Sequence, residues 1–328
     1  MVKRVLSGIR ASGRLHLGNY LGAVKGMLEL QDNPNYKTYY MVADLHAITT
    51  PYLPESLKRN RMEVVLDYLA AGLDPEKSVI FIQSDIPAHT ELAFYFSTLV
   101  SVARMQHLPT FKEKVKNQPQ SASMALLGYP VLMAADILAY KANAVPVGDD
   151  QLPHLEVARE IARKINAKYG LDFPEPVQFK TPGHYVPSLT GEGKMSKSVK
   201  GSYINLTDDL DTIRERLAKV PTDQGKGRVF PQKGGVASLL TLVELFQGSE
   251  KAKEYKNQYI KSGIKYSQLK SSLAEAIYSE LAPIQKRRSE LGKNLDYVQK
   301  ILEKGAEKAR DVANQTLLKV RKAMGFMI

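Results

Sequence analysis

Five consecutive residues, Lys194-Met195-Ser196-Lys197-Ser198, set two ammonium groups and two hydroxyls directly after a glycine turn, Thr190-Gly191-Glu192-Gly193. Lysines act as point charges on a polyphosphate, and serine hydroxyls and backbone N–H groups add hydrogen bonds. A solvated basic loop looks the same in isolation, so a second phosphate motif is needed to give these lysines a task. One lies near the start of the chain, where His16-Leu17-Gly18-Asn19 sits among glycines at 8, 13, 18 and 22. A strand, a glycine turn and a helix N-terminus make an anion site, because backbone N–H groups point at the anion. The spacing is neither a dinucleotide fingerprint nor a Walker loop. Gly18 leaves room against the backbone, and His16 can donate to phosphate oxygens.

A third group surrounds Asp136, a lone carboxylate in the apolar run 124–140. A buried carboxylate is costly unless it is paired or hydrogen-bonded. Tyr129, Met133 and Asp136 fall at i, i+4 and i+7, on one helical face. That face suits a flat apolar ligand carrying one N–H or O–H donor; a core helix whose Asp caps a neighbouring backbone is the alternative. Beyond it, Gly148 allows close approach, Asp149 or Asp150 can accept from a ribose hydroxyl, and Gln151 can bind an amino group. His154 orients this corner. Lys112 or Lys114 is a further phosphate ligand within a polar stretch, 109–123, that reads as a surface loop.

The elements that must position these groups alternate strand and helix. Residues 2–9, 39–43, 79–84 and 145–147 read as short buried strands. Helical spacing covers 55–71, 91–102, 124–140, with Pro130 near its first turn, and 152–169. Such alternation predicts parallel βαβ units, whose ligands lie beyond the carboxyl ends of the strands. Asp44, His46, Gln83 and Ser84 belong there. Residues 173–187 are proline-rich. After residue 205 the pattern is helical throughout: 208–219, 235–246, 249–261, 266–291 and 295–324. The fold class is therefore α/β, a Rossmann-like parallel-sheet nucleotide-binding domain (1–188) followed by an all-helical domain (189–328).

The 328 residues carry a net charge of +12, unevenly placed. Residues 1–188 hold 20 Lys and Arg against 18 Asp and Glu; residues 189–328 hold 26 against 16. A near-neutral catalytic half joined to a basic half points to a polyanionic partner, with nucleic acid first and an anionic membrane surface second. The stretch Gln285-Lys286-Arg287-Arg288 and the lysines at 300, 304, 308 and 319 line an RNA backbone or form a solvated helix face. The absence of cysteine excludes disulfides, thiolate catalysis and cysteine-ligated metal or iron–sulfur centres. No apolar run spans a bilayer and the start lacks a signal-peptide h-region, so a cytoplasmic location with no membrane association is expected.

On these residues the chain resembles the class I aminoacyl-tRNA synthetases of the tryptophanyl type. His16 to Asn19 is similar to the H-I-G-H signature of that class, and Lys194 to Ser198 to its K-M-S-K-S signature. The segments 129–138 and 145–151 resemble the tryptophanyl pocket and nucleotide turn, and Ser7-Gly8, 44–49 and 111–114 agree. The resemblance implies that tryptophan and ATP, with Mg²⁺, form tryptophanyl-adenylate and pyrophosphate, and that the tryptophanyl group then passes to tRNA(Trp). Lys194, Lys197 and Lys114 would neutralise the departing pyrophosphate. Arg10, Ala11, Ser12, His16, Gly18 and Asn19 would hold ATP from the first helix. Gly148, Asp149 and Asp150 would hold the ribose side, with Val186 and the loop residues Met195, Ser196 and Ser198 completing the nucleotide site. Asp136 would accept from the indole N–H, with Tyr129, Met133, Gln151 and His46 around the amino acid. No residue is assigned to a metal, and a homodimer is implied. Arg10 replaces the usual glutamine of the family, and the missing cysteines exclude the cluster that some members carry. A tyrosyl-tRNA synthetase and a non-catalytic synthetase-like RNA-binding protein are the competing readings.

Overall fold

The computed structural model describes residues 2–117, 122–180 and 185–327. Parts of the polar stretch 109–123 and of the proline-rich stretch 173–187 fall outside them. Five parallel strands form one sheet: β1 (Lys3–Arg10), β2 (Tyr36–Ala43), β3 (Ser78–Ile82), β4 (Ala144–Val145) and β5 (Val177–Gln178). Their order is β3-β2-β1-β4-β5, so the winding reverses between β1 and β4. A ligand crevice opens at such a reversal, beyond the carboxyl ends of the strands.

Both faces of the sheet are covered, which explains why β2 and β3 read as continuous apolar runs instead of alternating ones. Tyr40, Val42, Ile80 and Ile82 face one core; Tyr39, Met41, Val79 and Phe81 face the other. Pro54–Ala71 packs in the first core, and Met124–Ala139 and Leu152–Tyr169 pack in the second. The expected helices after residue 205 are present as Leu210–Ala218, Gly234–Gln247, Ser249–Lys261, Tyr266–Gly292 and Leu295–Ala323. The first four and the start of the last join the first core, and the rest of the last, from Ala306 to Val320, joins the second, so the helical half shares its interior with the sheet. Among the described residues, no helix is long and apolar enough to cross a membrane.

Three local expectations are corrected. The stretch expected as a surface loop contains the helix Pro109–Asn117; Phe111 and Val115, four apart, supply an inward face that its lysines mask. The helix expected over 91–102 is two helices, Ala88–Ser97 and Val102–Gln106. Pro130 sits in the second turn of Met124–Ala139, because Ser123 caps that helix by accepting from the Leu126 N–H at 3.1 Å.

The last helix, Leu295–Ala323, returns to the sheet and covers its outer strand, β3. Covering a strand edge prevents it from pairing with another chain. Gly305 permits the approach: a Cβ there would stand 1.8 Å from the Ile80 carbonyl oxygen. Backbone cannot yield as a side-chain tip can. Gly305→Ala should therefore destabilise the fold by about 2–3 kcal/mol, the cost of overpacking a tight contact. Gly292→Ala, with open space around it, should not. Thermal unfolding of the two variants measures the difference; equal melting temperatures would contradict the packing described.

Candidate active site

At the β1/β4 reversal lies a cleft of about 690 Å³. Its floor is the end of β1, where Gly8 lets the strands close up: a Cβ there would meet the Met41 carbonyl oxygen at 2.9 Å. The chain then turns through Gly13, at φ +106°, and enters the first helix at His16. The turn is held from below by Asp67, whose carboxylate accepts the Leu15 N–H at 2.6 Å. The Asn19 amide oxygen accepts the His16 N–H at 3.2 Å, closing the first helical turn.

The lysine loop folds onto this turn. Met195 donates its N–H to Val186, and Ser188 donates to Gly193, so the loop is a short antiparallel clip. Leu17 donates to Ile204 and Leu206 donates to Leu15, tying the segment after the loop to the first helix. The Leu17 N–H is thus engaged within the chain and does not face the cleft as an anion donor. The space above Gly18 is also taken: a Cβ there would stand 2.8 Å from the His16 ring and 3.3 Å from Met195. Ser196 and Ser198 share a hydroxyl hydrogen bond of 2.7 Å. The Lys197 ammonium donates to the Ser12 carbonyl at 3.4 Å, across the cleft mouth.

Electrostatics distinguish the two walls. Burial depresses the Lys197 pKa to about 8, although Asp67 and Glu63 oppose the shift. Burial, then Lys197 and Lys194, bring His16 to about 4, so its ring is neutral near pH 7. Its buried Nδ1 has no partner within the chain. On the other wall, burial and then Arg10 depress Lys114, whose ammonium stands 4.7 Å above the Tyr129 ring. The exposed Arg10 guanidinium has no ion-pair partner among the described residues and faces the same space. Four cations, Arg10, Lys114, Lys194 and Lys197, therefore line one crevice against two carboxylates, Asp136 and Asp150, an excess of positive charge suited to a polyanion.

The wall around Asp136 is a polar network. Asp136 is fully buried, and its carboxylate accepts from His46 Nε2 at 2.7 Å, Gln83 Nε2 at 2.8 Å and His89 Nδ1 at 2.6 Å. Burial raises the Asp136 pKa, but His46 and His89 outweigh it and hold the carboxyl well below its usual range. Tyr129, Met133 and His46 stand beside it in the same wall. Gln151 donates to Asp150 at 2.7 Å, and its oxygen faces His154 Nδ1 at 3.1 Å. His154 Nε2 meets the Tyr129 hydroxyl at 2.7 Å and that of Thr110 at 2.9 Å. Burial, then Lys114, bring His154 to about 4, so it orients Gln151 as a neutral ring.

Most residues singled out from the sequence thus converge on one cleft. Ala11, Asp149 and Val186 are not in its walls. Ala11 and Val186 are buried, and Asp149 accepts from Gln178 at 2.9 Å. Gly148 makes room for the Asp150 carboxylate, 2.6 Å from where a Cβ would lie. Gln285, Arg287 and Arg288 make hydrogen bonds within the chain, although Arg287 is also exposed. Gln285 donates to Leu206 and Asp208, Arg287 to Ala70, and Arg288 to Asp67 and Glu63. Asp67, Thr110 and His89 were missed. Asp67 carried the signal that drew attention to Asp136, a lone carboxylate in an apolar run.

The chain matches the family model described as tRNA synthetases class I (W and Y) over residues 2–282. It is 40% identical over 331 residues to a tryptophan–tRNA ligase of Clostridium tetani, covering 99% of this chain and 96% of that protein. A solved tryptophanyl-tRNA synthetase from Mycoplasma pneumoniae superposes with a TM-score of 0.86 at 33% identity, over 99% of this chain and 98% of that one. The Campylobacter jejuni enzyme, solved with ADP and tryptophan, gives 0.85 at 32%, over 98% and 99%.

As pH rises through about 8, Lys197 loses its proton in the free protein, while a bound polyphosphate favours the charged form. Affinity for inorganic tripolyphosphate should fall above that pH, with a proton taken up on binding. Titration calorimetry in buffers of different ionisation enthalpy measures both; proton-neutral, pH-independent binding would contradict the depressed lysine.

Proposed function

We infer the chemistry of the cleft from one premise: the chain belongs to the class I tRNA synthetases of tryptophan and tyrosine. It functions as an ATP-dependent ligase that joins tryptophan to tRNA. The reaction has two steps. The tryptophan carboxylate attacks the α-phosphate of ATP and pyrophosphate leaves; the tryptophanyl group then passes to the terminal ribose of tRNA(Trp). The observation that carries the residue assignment is that one cleft is lined both by a buried, ionised Asp136 and by Lys194 and Lys197.

The tryptophan ring lies against Tyr129, Met133 and His46, with its N–H donated to Asp136. Phenylalanine would leave the remaining acceptor lobe of that buried carboxylate empty, which a site built around a hydrogen bond penalises. Gln151, held by His154, meets the α-amino end. ATP lies along the start of the first helix beside His16 and Asn19, with Gly18 allowing the His16 ring and Met195 to pack closely there, and Gly148 and Asp150 on the ribose side. Lys194, Lys197 and Lys114 neutralise charge as it develops on the leaving pyrophosphate, and no covalent enzyme intermediate forms. Catalysis is positioning plus preorganised charge. His16, neutral and with an unpartnered Nδ1, faces the phosphates without adding a further positive charge. Arg10 adds a charge where the family has glutamine, on the side of the reacting carboxylate.

Mg²⁺ would be carried on the phosphates of the nucleotide and would there share with Lys194, Lys197 and Lys114 the neutralisation of their charge; among the described residues no group of three His, Asp or Glu is placed to hold a metal ion. The division at 188/189 is functional: residues 1–188 carry the amino acid and ATP, and the basic residues 189–328 carry the lysine loop and the tRNA-binding face. The enzyme acts in the cytoplasm as a homodimer, which sedimentation at micromolar concentration tests; a monomer there overturns the dimer.

Tryptophan-dependent ATP–pyrophosphate exchange tests the assignment. Lys197→Ala should lower kcat roughly a hundredfold, the scale of a lost charge-stabilising group. Asp136→Ala should lower kcat/KM for tryptophan roughly a hundredfold while sparing the KM for ATP. Exchange should stop when EDTA removes the divalent ion. An unchanged rate in either variant overturns the role given to that residue.

A further inference from the structure

Asp136 does not stand alone, and the residues behind it carry more information than the one in front. An ionised carboxylate offers about four acceptor lobes on its two oxygens. Gln83 and His89 both donate to Oδ1, and His46 donates to Oδ2. Three lobes are filled, and one remains, on Oδ2, the oxygen beside the cleft-lining His46. Asp136, His89 and Gln83 are wholly buried, so no water competes for the arrangement.

His89 is itself fixed. Its Nε2 lies 2.7 Å from the Tyr140 hydroxyl, and its ring meets Phe81 and Tyr140 edge-on, at 6.1 Å and 5.5 Å. Tyr140 is stacked on Tyr39 at 4.7 Å. Burial, reinforced by Asp136, holds the Tyr140 hydroxyl well above its usual pKa, so it keeps its proton. That proton has His89 Nε2 as its acceptor, which leaves the ring hydrogen on Nδ1, directed at Asp136.

The geometry points to His89 as a positioning residue for amino-acid selection: locked by Tyr140, it occupies Oδ1 of Asp136 and leaves a single lobe on Oδ2 for the ring N–H of tryptophan. This rests on the reading of Asp136 as the indole acceptor. A carboxylate free to rotate would offer several lobes and would accept donors at other positions. One held from behind by two donors on the same oxygen accepts one donor from one direction. Specificity then comes from the fixed aim of the acceptor as well as from its charge.

The test compares tryptophan with β-benzothienylalanine, in which sulfur replaces the ring N–H, as the ratio of kcat/KM values in pyrophosphate exchange. The wild-type ratio should favour tryptophan strongly. His89→Leu should reduce that ratio roughly tenfold, with the KM for ATP little changed. His89→Asn, whose amide N–H stands where Nδ1–H stood, should restore most of it. Tyr140→Phe, which keeps the ring and removes the lock, should give a partial loss. In His89→Leu the Asp136 carboxyl loses a donor while its burial stays. Its pKa therefore rises, and the KM for tryptophan should climb as pH falls, unlike the wild type.

A wild-type enzyme indifferent to the ring N–H overturns the reading of Asp136, and the inference with it. A discriminating wild type whose ratio survives His89→Leu overturns the inference alone, as does His89→Asn performing no better than His89→Leu. If His89→Leu does not fold, Tyr140→Phe decides: a lowered ratio at constant ATP KM supports the lock, and an unchanged ratio overturns it.

Discussion

The structure hangs on a carboxylate that never meets substrate. Asp67 is wholly buried, and its two oxygens accept the Leu15 N–H and Arg288 Nε, each at 2.6 Å. Burial drives its pKa up, and these two donors pull it back. Arg288 also binds Glu63, which in turn binds Arg14. Removing one partner of such a buried pair leaves an uncompensated charge, a loss of about 3–5 kcal/mol. The geometry of the lysine loop follows from this clamp. Leu15 fixes where His16 begins the first helix, that helix pairs with Ile204 and Asn205, and Met195 packs over Gly18. Because Arg288 belongs to Tyr266–Gly292, the same contact ties the helical half to the nucleotide side. Asp67 and Glu63 also raise the Lys197 pKa against its burial. One network therefore bears on both the position of the lysine loop and the charge of Lys197.

The cleft uses buried charge in two opposite ways. At Asp136 the negative charge is held by His89 and Gln83 on one oxygen and by the cleft-lining His46 on the other, which leaves one directional acceptor lobe. Around the phosphate side, Lys114 and Lys197 are partly buried beside Arg10 and Lys194 with too few carboxylates to match. Such cations are held in a disfavoured charged state until a polyanion arrives, so the field is in place before charge develops in the reaction. His16 and His154 stay neutral within this field and add direction without charge.

Signals that were local in sequence were legible there. Lys194 to Ser198 and His16 to Asn19 are each contiguous motifs, and the structure brings them to one cleft. Leu152–Tyr169 and Ser249–Lys261 announce themselves through helical periodicity and appear with the expected bounds. Pairing between distant segments was not legible. Strand β5 is two residues, too short for a pattern, and although a strand near 145 is legible, its pairing with β1, most of the first half away, is not. The helix Pro109–Asn117 was hidden because four charged residues outnumber its two inward apolar ones. The pairing of Arg288 is not legible because its partners, Asp67 and Glu63, lie more than two hundred residues earlier. His89 gave no signal at all, since its partners come from other elements of the fold.

The central claim is that one cleft selects an indole N–H through Asp136 and activates the same molecule with ATP. The most direct measurement is a quenched reaction of the enzyme with ATP, Mg²⁺ and an equimolar mixture of tryptophan, tyrosine and phenylalanine. Mass spectrometry then identifies the adenylate retained on the protein. The account requires tryptophanyl-adenylate alone, and requires it to disappear in Asp136→Ala. Tyrosyl- or phenylalanyl-adenylate on the wild-type enzyme would contradict it.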